Sequence, residues 1–189
     1  MPRRMMAQAF DHALQRGPYD DYPVLTAGID PQICLSRNDR PQPFYLICQK
    51  DCVLVQMSGK ASIRFQGSSV NYFDAVPGDH IYVPAGTPHQ IVPVQEAIQY
   101  RIKAEHSGLE GAAWYCERCN AEVWRFTWDT ARMLPQEGYL LACERFNAED
   151  SKRRCKGCGY EHAAVDLTGY RWKEVVKELR EAPEATEAW

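Results

Sequence analysis

Four of the eight cysteines stand in two pairs, and in each pair two residues separate the cysteines. The four are Cys116, Cys119, Cys155 and Cys158. This spacing lets each tight turn direct two thiolates at one ion. Asn120 and Gly159, which follow the pairs, readily adopt a positive φ, so that backbone amides can turn back towards the sulfurs. The pattern predicts a closed tetrahedral site with zinc as the first choice of metal and iron as the second. Ordinary thiols or two disulfides are the alternatives.

The chain around the pairs carries two further signals. The segment between them is longer than in a usual zinc finger, which predicts an inserted hairpin or loop. Basic residues beside the second pair could offset the negative charge of four thiolates on a divalent ion, or they form a solvated turn. They are Lys152, Arg153, Arg154 and Lys156.

A histidine, His89, ends a second chemically informative run. Residues 78–89 read Gly-Asp-His-Ile-Tyr-Val-Pro-Ala-Gly-Thr-Pro-His, with turn residues at both ends of a short apolar stretch. This run matches G-x5-P-x-G-x2-H, the second motif of the cupins. The match predicts that His89 begins a returning strand and points its imidazole at the centre of a barrel.

Short strands separated by Gly and Pro turns are predicted between residues 33 and 103, which indicates a barrel or a sandwich. The strand candidates are residues 53–57, 61–65, 70–76, 81–83 and 98–102. Residues 5–16 predict a short helix that ends at Gly17-Pro18. Residues 18–32 read as irregular chain and residues 104–112 as a linker.

The tail predicts one amphipathic helix, because apolar residues recur there at i, i+3, i+4 and i+7. They are Trp172, Val175, Val176 and Leu179. The chain is thus predicted to be dominated by β-structure and to comprise four parts: an N-terminal helix and arm (1–32), a barrel (33–112), a CxxC…CxxC module (113–165), and a helix with a tail (166–189).

Composition excludes several classes of protein. Of the 189 residues 45% are hydrophobic and 25% charged, enough apolar residues for a folded core. The net charge of −3 does not favour nonspecific binding of nucleic acid. No apolar run approaches the roughly 18 residues that span a bilayer, and the first residues do not read as a secretory signal. The predicted location is therefore cytoplasmic.

The cupin motif combined with the cysteine module resembles the bacterial type of 3-hydroxyanthranilate 3,4-dioxygenase. Trp114–Cys119 and Glu149–Gly159 look like the two knuckles of that family, and the resemblance covers about residues 40–162. It implies a cupin jelly-roll barrel, a rubredoxin-like metal site and a homodimer. In active members it implies a mononuclear iron(II) that opens an aminophenol ring with dioxygen.

Only one of the three iron ligands that the resemblance implies is present, and it is His89. The first histidine position holds Leu46, and the glutamate position holds Cys52. A later active-site glutamate of the family falls on Arg101. The sequence therefore predicts that the normal triad of two histidines and one carboxylate is absent.

Two functions remain open. The first is a diverged, oxidoreductase-like enzyme that acts on a small aromatic or amino-acid-like carboxylate, with His89, Cys52 and Arg101 as catalytic residues. Cys48, Cys52 and His89 would then hold a second metal, or Cys52 would be a nucleophile with His89 as its base. Arg101 would bind an anionic small molecule. The alternatives are that the two cysteines are ordinary buried residues and that Arg101 faces outward. The second function is a binding or scaffold protein whose barrel holds no metal and whose fold is stabilised by an ion in the four-cysteine site.

Overall fold

Two antiparallel sheets make up most of the computed structural model, which describes residues 8–181. The strands are β1 Tyr22–Pro23, β2 Gln32–Asn38, β3 Tyr45–Cys48, β4 Cys52–Ser58, β5 Ala61–Phe65, β6 Tyr72–Ala75, β7 His80–Val83, β8 His89–Pro93, β9 Ala97–Lys103, β10 Leu109–Tyr115 and β11 Glu122–Asp129. The helices are α1 Ala9–Ala13, α2 Pro135–Ala148, α3 Asp150–Arg153 and α4 Trp172–Glu181.

The strand order defines a jelly roll. One sheet has the order β1-β2-β9-β4-β7 and the other β11-β10-β3-β8-β5-β6. The antiparallel pairs β3–β10, β4–β9 and β5–β8 are nested around the connection between β6 and β7. Nested pairing across two sheets is the pattern of a jelly-roll barrel. The predicted cupin-type jelly roll, with a short terminal helix and a four-cysteine cluster, is therefore confirmed.

Strand β9 supplies polar side chains to the interior of the barrel. Its burial alternates along its whole length, as expected for a strand with one face on the core. The alternation places Gln99, Arg101 and Lys103 inside the barrel, where each is less than a tenth exposed. The six-stranded sheet contributes mainly apolar buried residues, among them Leu46 and Ile63. One wall of the barrel is thus polar and carries two cationic side chains.

The predicted linker over residues 104–112 is wrong at its C-terminal end, because β10 begins at Leu109. Small residues explain the difference. A Cβ on Gly111 would lie 3.2 Å from the carbonyl oxygen of Phe126, so glycine lets β11 approach closely here. The same glycine reads as a turn signal in the sequence. Because β10 extends to Tyr115, it crosses the proposed boundary between residues 112 and 113. The division into four parts stays a prediction.

The segment between the cysteine pairs is more than the predicted hairpin or loop, since it contains β11 and the 14-residue helix α2. The sequence contains a signal for the N-terminus of α2. Pro135 stands at the first helical position, and the carboxylate of Glu137 accepts a hydrogen bond from the amide of Leu134 at 3.0 Å. Of the predicted helix over residues 5–16, only Ala9–Ala13 is helical within the described part, so the helix ends before the predicted stop at Gly17-Pro18. Residues 5–7 lie outside the described residues. No helix of residues 8–181 is long and apolar enough to span a membrane.

Helix α4 fixes the irregular N-terminal arm against the rest of the molecule. The ring of Trp172 stacks on Tyr170 at 4.4 Å and packs edge-on against Tyr139 at 5.7 Å. Its indole N–H donates to the carbonyl oxygen of Tyr19 at 3.0 Å. Tyr19 and Asp21 both adopt a positive φ, which is uncommon for residues other than glycine. The contacts from α4 and α2 therefore hold a bent arm that carries Asp21 into the barrel.

Replacing Trp172 by Ala should lower the free energy of unfolding by about 3–5 kcal/mol, because a fully buried aromatic side chain and its hydrogen bond are lost. Urea denaturation measures the change. Val94→Ala is the control, because Val94 is 70% exposed and its truncation should cost little. Equal effects of the two substitutions would contradict the role of Trp172 as the anchor of the arm.

Candidate functional site: a buried arginine network and a four-cysteine cluster

Arg101 occupies the centre of the barrel and is only 2% exposed. Its Nη1 lies 2.7 Å from Nε2 of His89, and its Nε lies 3.2 Å from Oδ2 of Asp21. A guanidinium only donates hydrogen bonds, so Nε2 of His89 is the acceptor. The proton of His89 is then on Nδ1, which lies 3.2 Å from the carbonyl oxygen of Thr87. The ring lone pair that a metal would use is therefore directed at a cation.

Burial and the neighbouring charge of Arg101 both disfavour a charged His89. Together they lower the pKa of His89 to about 3, against the weaker opposing effects of Thr87 and Asp21. The imidazole is consequently neutral at physiological pH. It serves as a hydrogen-bond acceptor for Arg101, and no free ring nitrogen remains to take up a proton.

The Asp21 carboxylate completes this network. Burial alone would raise its pKa, but Arg101, Lys103 and two hydroxyl donors outweigh burial and hold the pKa below its ordinary value. The donors are the hydroxyl of Tyr139 at 2.8 Å and the hydroxyl of Ser36 at 3.2 Å. The charges of Arg101 and Asp21 thus compensate each other inside the barrel, as a stable buried ion pair requires.

A second buried ion pair lies next along β9. The Nζ of Lys103 is 2.7 Å from Oε1 of Glu110, and both side chains are less than a tenth exposed. Burial would lower the pKa of Lys103, but the Glu110 carboxylate outweighs burial and raises it. The other carboxylate oxygen of Glu110 is buried and makes no hydrogen bond within the described residues. The barrel therefore contains two cations and two carboxylates.

Cys48 and Cys52 are buried beside this network. The Sγ of Cys52 lies 3.9 Å from Nη1 of Arg101. A hydrogen bond from the Cys48 thiol, helped by the charges of Arg101 and Lys103, outweighs burial and lowers the pKa of Cys52 to about 7. The same hydrogen bond and burial raise the pKa of Cys48.

The structure brings together the barrel residues that the sequence singles out. Arg101 faces inward, not outward, and its guanidinium contacts both His89 and the thiol of Cys52. Among residues 8–181, the metal-ligating side chains that gather within reach of one another are the four knuckle cysteines, and Cys48 does not join Cys52 and His89 in such a group. The catalytic roles and the second metal site remain predictions.

Sequence reasoning missed the partners of these residues. The inward position of Lys103 could have been inferred from the sequence, because residues 101 and 103 share one face of a strand. Asp21 and Tyr139 could not be found in this way, since Asp21 reaches Arg101 from an irregular arm and Tyr139 reaches Asp21 from an unpredicted helix.

The four cysteines of the two CxxC pairs form a compact cluster, in which all four sulfurs lie within 4.8 Å of one another. The Sγ atoms of Cys116 and Cys158 are 3.5 Å apart, and so are those of Cys119 and Cys155. Zn–S bonds of about 2.3 Å in a tetrahedron require sulfurs about 3.8 Å apart, so the cluster fits zinc or iron.

The backbone of the cluster has the predicted form. Asn120 and Gly159 adopt φ values of 61° and 73°. Their amides donate to the carbonyl oxygens of Cys116 and Cys155 at 2.8 and 2.9 Å. The basic residues beside the second pair contact carboxylates: Lys152 pairs with Glu149, Arg153 with Asp150 and Arg154 with Glu161.

A jelly-roll barrel of the cupin type with an appended tetrathiolate cluster is the class that fold and site define. The sequence relatives agree with this class. The sequence matches no family model. It is 29% identical over 170 residues to a 3-hydroxyanthranilate 3,4-dioxygenase of Coccidioides immitis, covering 86% of this chain and 80% of the relative. It is 29% identical to a 3-hydroxyanthranilate 3,4-dioxygenase 1 of Aspergillus oryzae, covering 76% of this chain and 70% of that one.

A solved structure, hydroquinone 1,2-dioxygenase from a Sphingomonas species with 4-hydroxybenzoate bound, aligns with a TM-score of 0.47 at 14% identity. The alignment covers 52% of this chain and 73% of that one. The sequence relatives support a cupin dioxygenase-like protein. Both are fungal, so the predicted bacterial type stays a prediction.

Replacing Cys116 or Cys158 by Ser should release the bound metal and lower the melting temperature, because a closed tetrathiolate site contributes directly to folding. Elemental analysis and thermal denaturation measure the two effects. Cys143→Ala is the matched control, since Cys143 is a buried thiol that is not one of the four clustered cysteines, and its loss should leave the metal in place. Unchanged metal content in the serine variants would contradict the assignment.

His89 should make the protein sensitive to acid. Its pKa is about 3 in the folded state and about 6.5 when unfolded, so the unfolded chain takes up a proton first as the pH falls. Stability from this residue is complete above pH 6.5 and declines by up to about 1.4 kcal/mol per pH unit towards pH 3.

Urea denaturation between pH 4 and 8 measures this dependence. His89→Gln, which offers an amide oxygen to Arg101 and does not titrate, should give a shallower curve. Asp21, whose pKa is also lowered, supplies acid sensitivity to both proteins. Parallel curves would show that His89 does not carry the effect.

Proposed function

We propose that this chain is a dioxygenase-like cupin that binds a small aromatic carboxylate without iron(II) chemistry, and that one zinc in the four-cysteine cluster staples it. The observation that carries the proposal is the 2.7 Å contact between Nη1 of Arg101 and Nε2 of His89. This contact joins His89, the one implied iron-ligand position that holds a histidine, to the permanently charged Arg101.

Electrostatics oppose a metal ion at this position. Two unit charges 4 Å apart interact by about 4 kcal/mol at an effective dielectric constant of 20, and a divalent ion doubles the repulsion from a guanidinium. The two missing ligand positions hold Leu46 and Cys52, so neither position supplies a carboxylate or a second imidazole to compensate that cost. Iron binding at His89 would require Arg101 to leave both His89 and Asp21.

Arg101 also supports the proposed class of ligand. It already contacts one carboxylate, that of Asp21, which an irregular arm delivers to the barrel. The relatives are named for 3-hydroxyanthranilate, which is itself an aromatic carboxylate. A ligand of this kind would exchange with the Asp21 carboxylate for the guanidinium, with the same geometry of recognition.

The lowered pKa of Cys52 favours a second candidate function, a diverged enzyme with Cys52 as nucleophile. His89 is poorly suited to be its base, because Nε2 already accepts from Arg101 and its pKa is about 3. Such an enzyme would use the thiolate that Arg101 stabilises. The homodimer and the cytoplasmic location that the sequence suggests accompany either candidate as predictions.

Elemental analysis before and after anaerobic loading with iron(II) tests the metal-free barrel. We expect about one metal per chain in both samples, all of it in the cluster, and no ring opening of added 3-hydroxyanthranilate. About two metals per chain, with the second lost in His89→Ala, would overturn the proposal and restore oxidative catalysis as the leading function.

Titration calorimetry with 3-hydroxyanthranilate tests binding. Arg101→Gln should weaken the affinity at least about tenfold, equal to 1.4 kcal/mol, because the cation that pairs with the carboxylate is lost. Arg64→Gln is the control, since Arg64 is exposed on β5 and should leave binding unchanged. Equal affinities of both variants would remove Arg101 from the binding site. Slow consumption of the ligand that Cys52→Ser abolishes would favour the enzyme.

A further inference from the structure

We infer that β6 is a self-complementary edge strand through which two copies of this chain pair, antiparallel and about a two-fold axis at Phe73. The pairing joins the six-stranded sheets of the two copies into one continuous sheet. It gives the predicted homodimer a defined interface, and it does not depend on the proposed ligand binding.

Residues 70–76 expose large apolar side chains at the end of the six-stranded sheet. Phe73 lies opposite the fully buried Ile63, so it belongs to the core face of β6 and is nevertheless 46% exposed. Tyr72 lies on the opposite face, because side chains alternate along a strand. Both faces of the strand therefore offer apolar surface to a partner. The exposed apolar residues of this segment are Val70, Tyr72, Phe73 and Val76, each between 37% and 57% exposed.

The backbone of β6 is unpaired on its outer side. β5 pairs with its inner side, and β6 ends the sheet. The amide of Phe65 donates to the carbonyl oxygen of Asn71 at 2.8 Å, and antiparallel pairing repeats such contacts at every second residue. The backbone groups of residues 71, 73 and 75 therefore face β5, whereas those of Tyr72 and Asp74 face away from the sheet. An edge strand with free amides and carbonyls is a template for another strand.

These free groups select the register. With Phe73 on the axis, Tyr72 lies opposite Asp74 of the second copy, and the two residues exchange both backbone hydrogen bonds. The two Phe73 rings then form a pair without backbone hydrogen bonds, where side chains approach most closely. Val70 lies opposite Val76 of the second copy. An axis at Asp74 would instead place two carboxylates opposite each other, which is unfavourable.

The charges on the outer face complement each other in this register. Arg64 of β5 is the cross-strand neighbour of Tyr72, so Arg64, Tyr72 and Asp74 of the second copy lie in one row across three strands. Neighbouring strands are about 4.8 Å apart, which separates the Cα atoms at the two ends of the row by about 9.6 Å. An arginine and an aspartate side chain together span this distance. Neither Arg64 nor Asp74 forms an ion pair with another described residue, so both charges are available to the second copy.

Hydrogen exchange of the wild-type chain, with its metal bound, tests the pairing without any substitution. Amide exchange in D2O is followed by NMR at micromolar and at millimolar concentration, and sedimentation equilibrium measures the mass. We expect a dimer at the higher concentration, in which the amides of Tyr72 and Asp74 exchange at least about tenfold more slowly than in the monomer. The amide of Phe73, which faces β5, is the internal control and should be protected at both concentrations.

Two equally exposed tyrosines test the register. Tyr72→Glu places a carboxylate opposite Asp74 of the second copy, twice in each dimer, and should raise the dissociation constant at least about tenfold. Tyr82→Glu is the matched control, because Tyr82 is also 57% exposed and lies on β7, at an edge of the other sheet. Tyr72→Lys offers Asp74 an opposite charge and should keep the dimer. Thermal denaturation followed by circular dichroism verifies that each variant is folded.

A chain that stays monomeric at millimolar concentration would overturn the inference and the predicted homodimer together. A dimer whose Tyr72 and Asp74 amides exchange as fast as in the monomer would overturn the inference alone, because the copies would then pair through another surface. Equal dissociation constants of Tyr72→Glu and Tyr82→Glu would contradict the register. If a variant does not fold, the exchange of the wild-type chain still decides.

Discussion

The guanidinium of Arg101 is a permanent cation in the interior of a barrel, and three other polar side chains there are arranged around it. Asp21 compensates its charge, His89 offers a neutral ring nitrogen to it, and Cys52 lies close enough to gain acidity from it. An isolated buried charge would be too costly to keep, so the arm that carries Asp21 is as necessary as the strand that carries Arg101. The bent arm, the helix behind it and the acceptor state of the histidine all follow from this one requirement.

This arrangement shows how a guanidinium can connect separate parts of a jelly roll at its interior. A metal ion in a barrel ties several strands together through its ligands. Arg101 makes comparable connections as a covalently attached cation, because its hydrogen bonds extend to His89 on β8 and to Asp21 on the N-terminal arm. The tetrathiolate cluster lies outside the barrel and depends on its own two turns.

The features that could be read from the sequence are those that local spacing determines. The two CxxC turns, the turn–strand–turn around His89 and the apolar face of α4 each involve residues close in the chain, and the structure shows all three. The partners of Arg101 could not be read, because Asp21 lies 80 residues away along the chain, and the hydroxyl that binds Asp21 lies 118 residues from it. The misread linker shows a different limit. Glycine at position 111 allows close strand packing but has the same sequence signature as a turn.

The docking of the N-terminal arm also sets an order in which the chain must fold. The arm is synthesised before the barrel strands, yet Trp172, which fixes it, lies 153 residues after Tyr19. The strands of the barrel are all complete before that helix emerges. Contacts between such distant residues carry a high loop-closure cost and form late. Arg101 is therefore synthesised long before α4, and its charge stays hydrated until α4 emerges and the arm that carries Asp21 docks on the barrel.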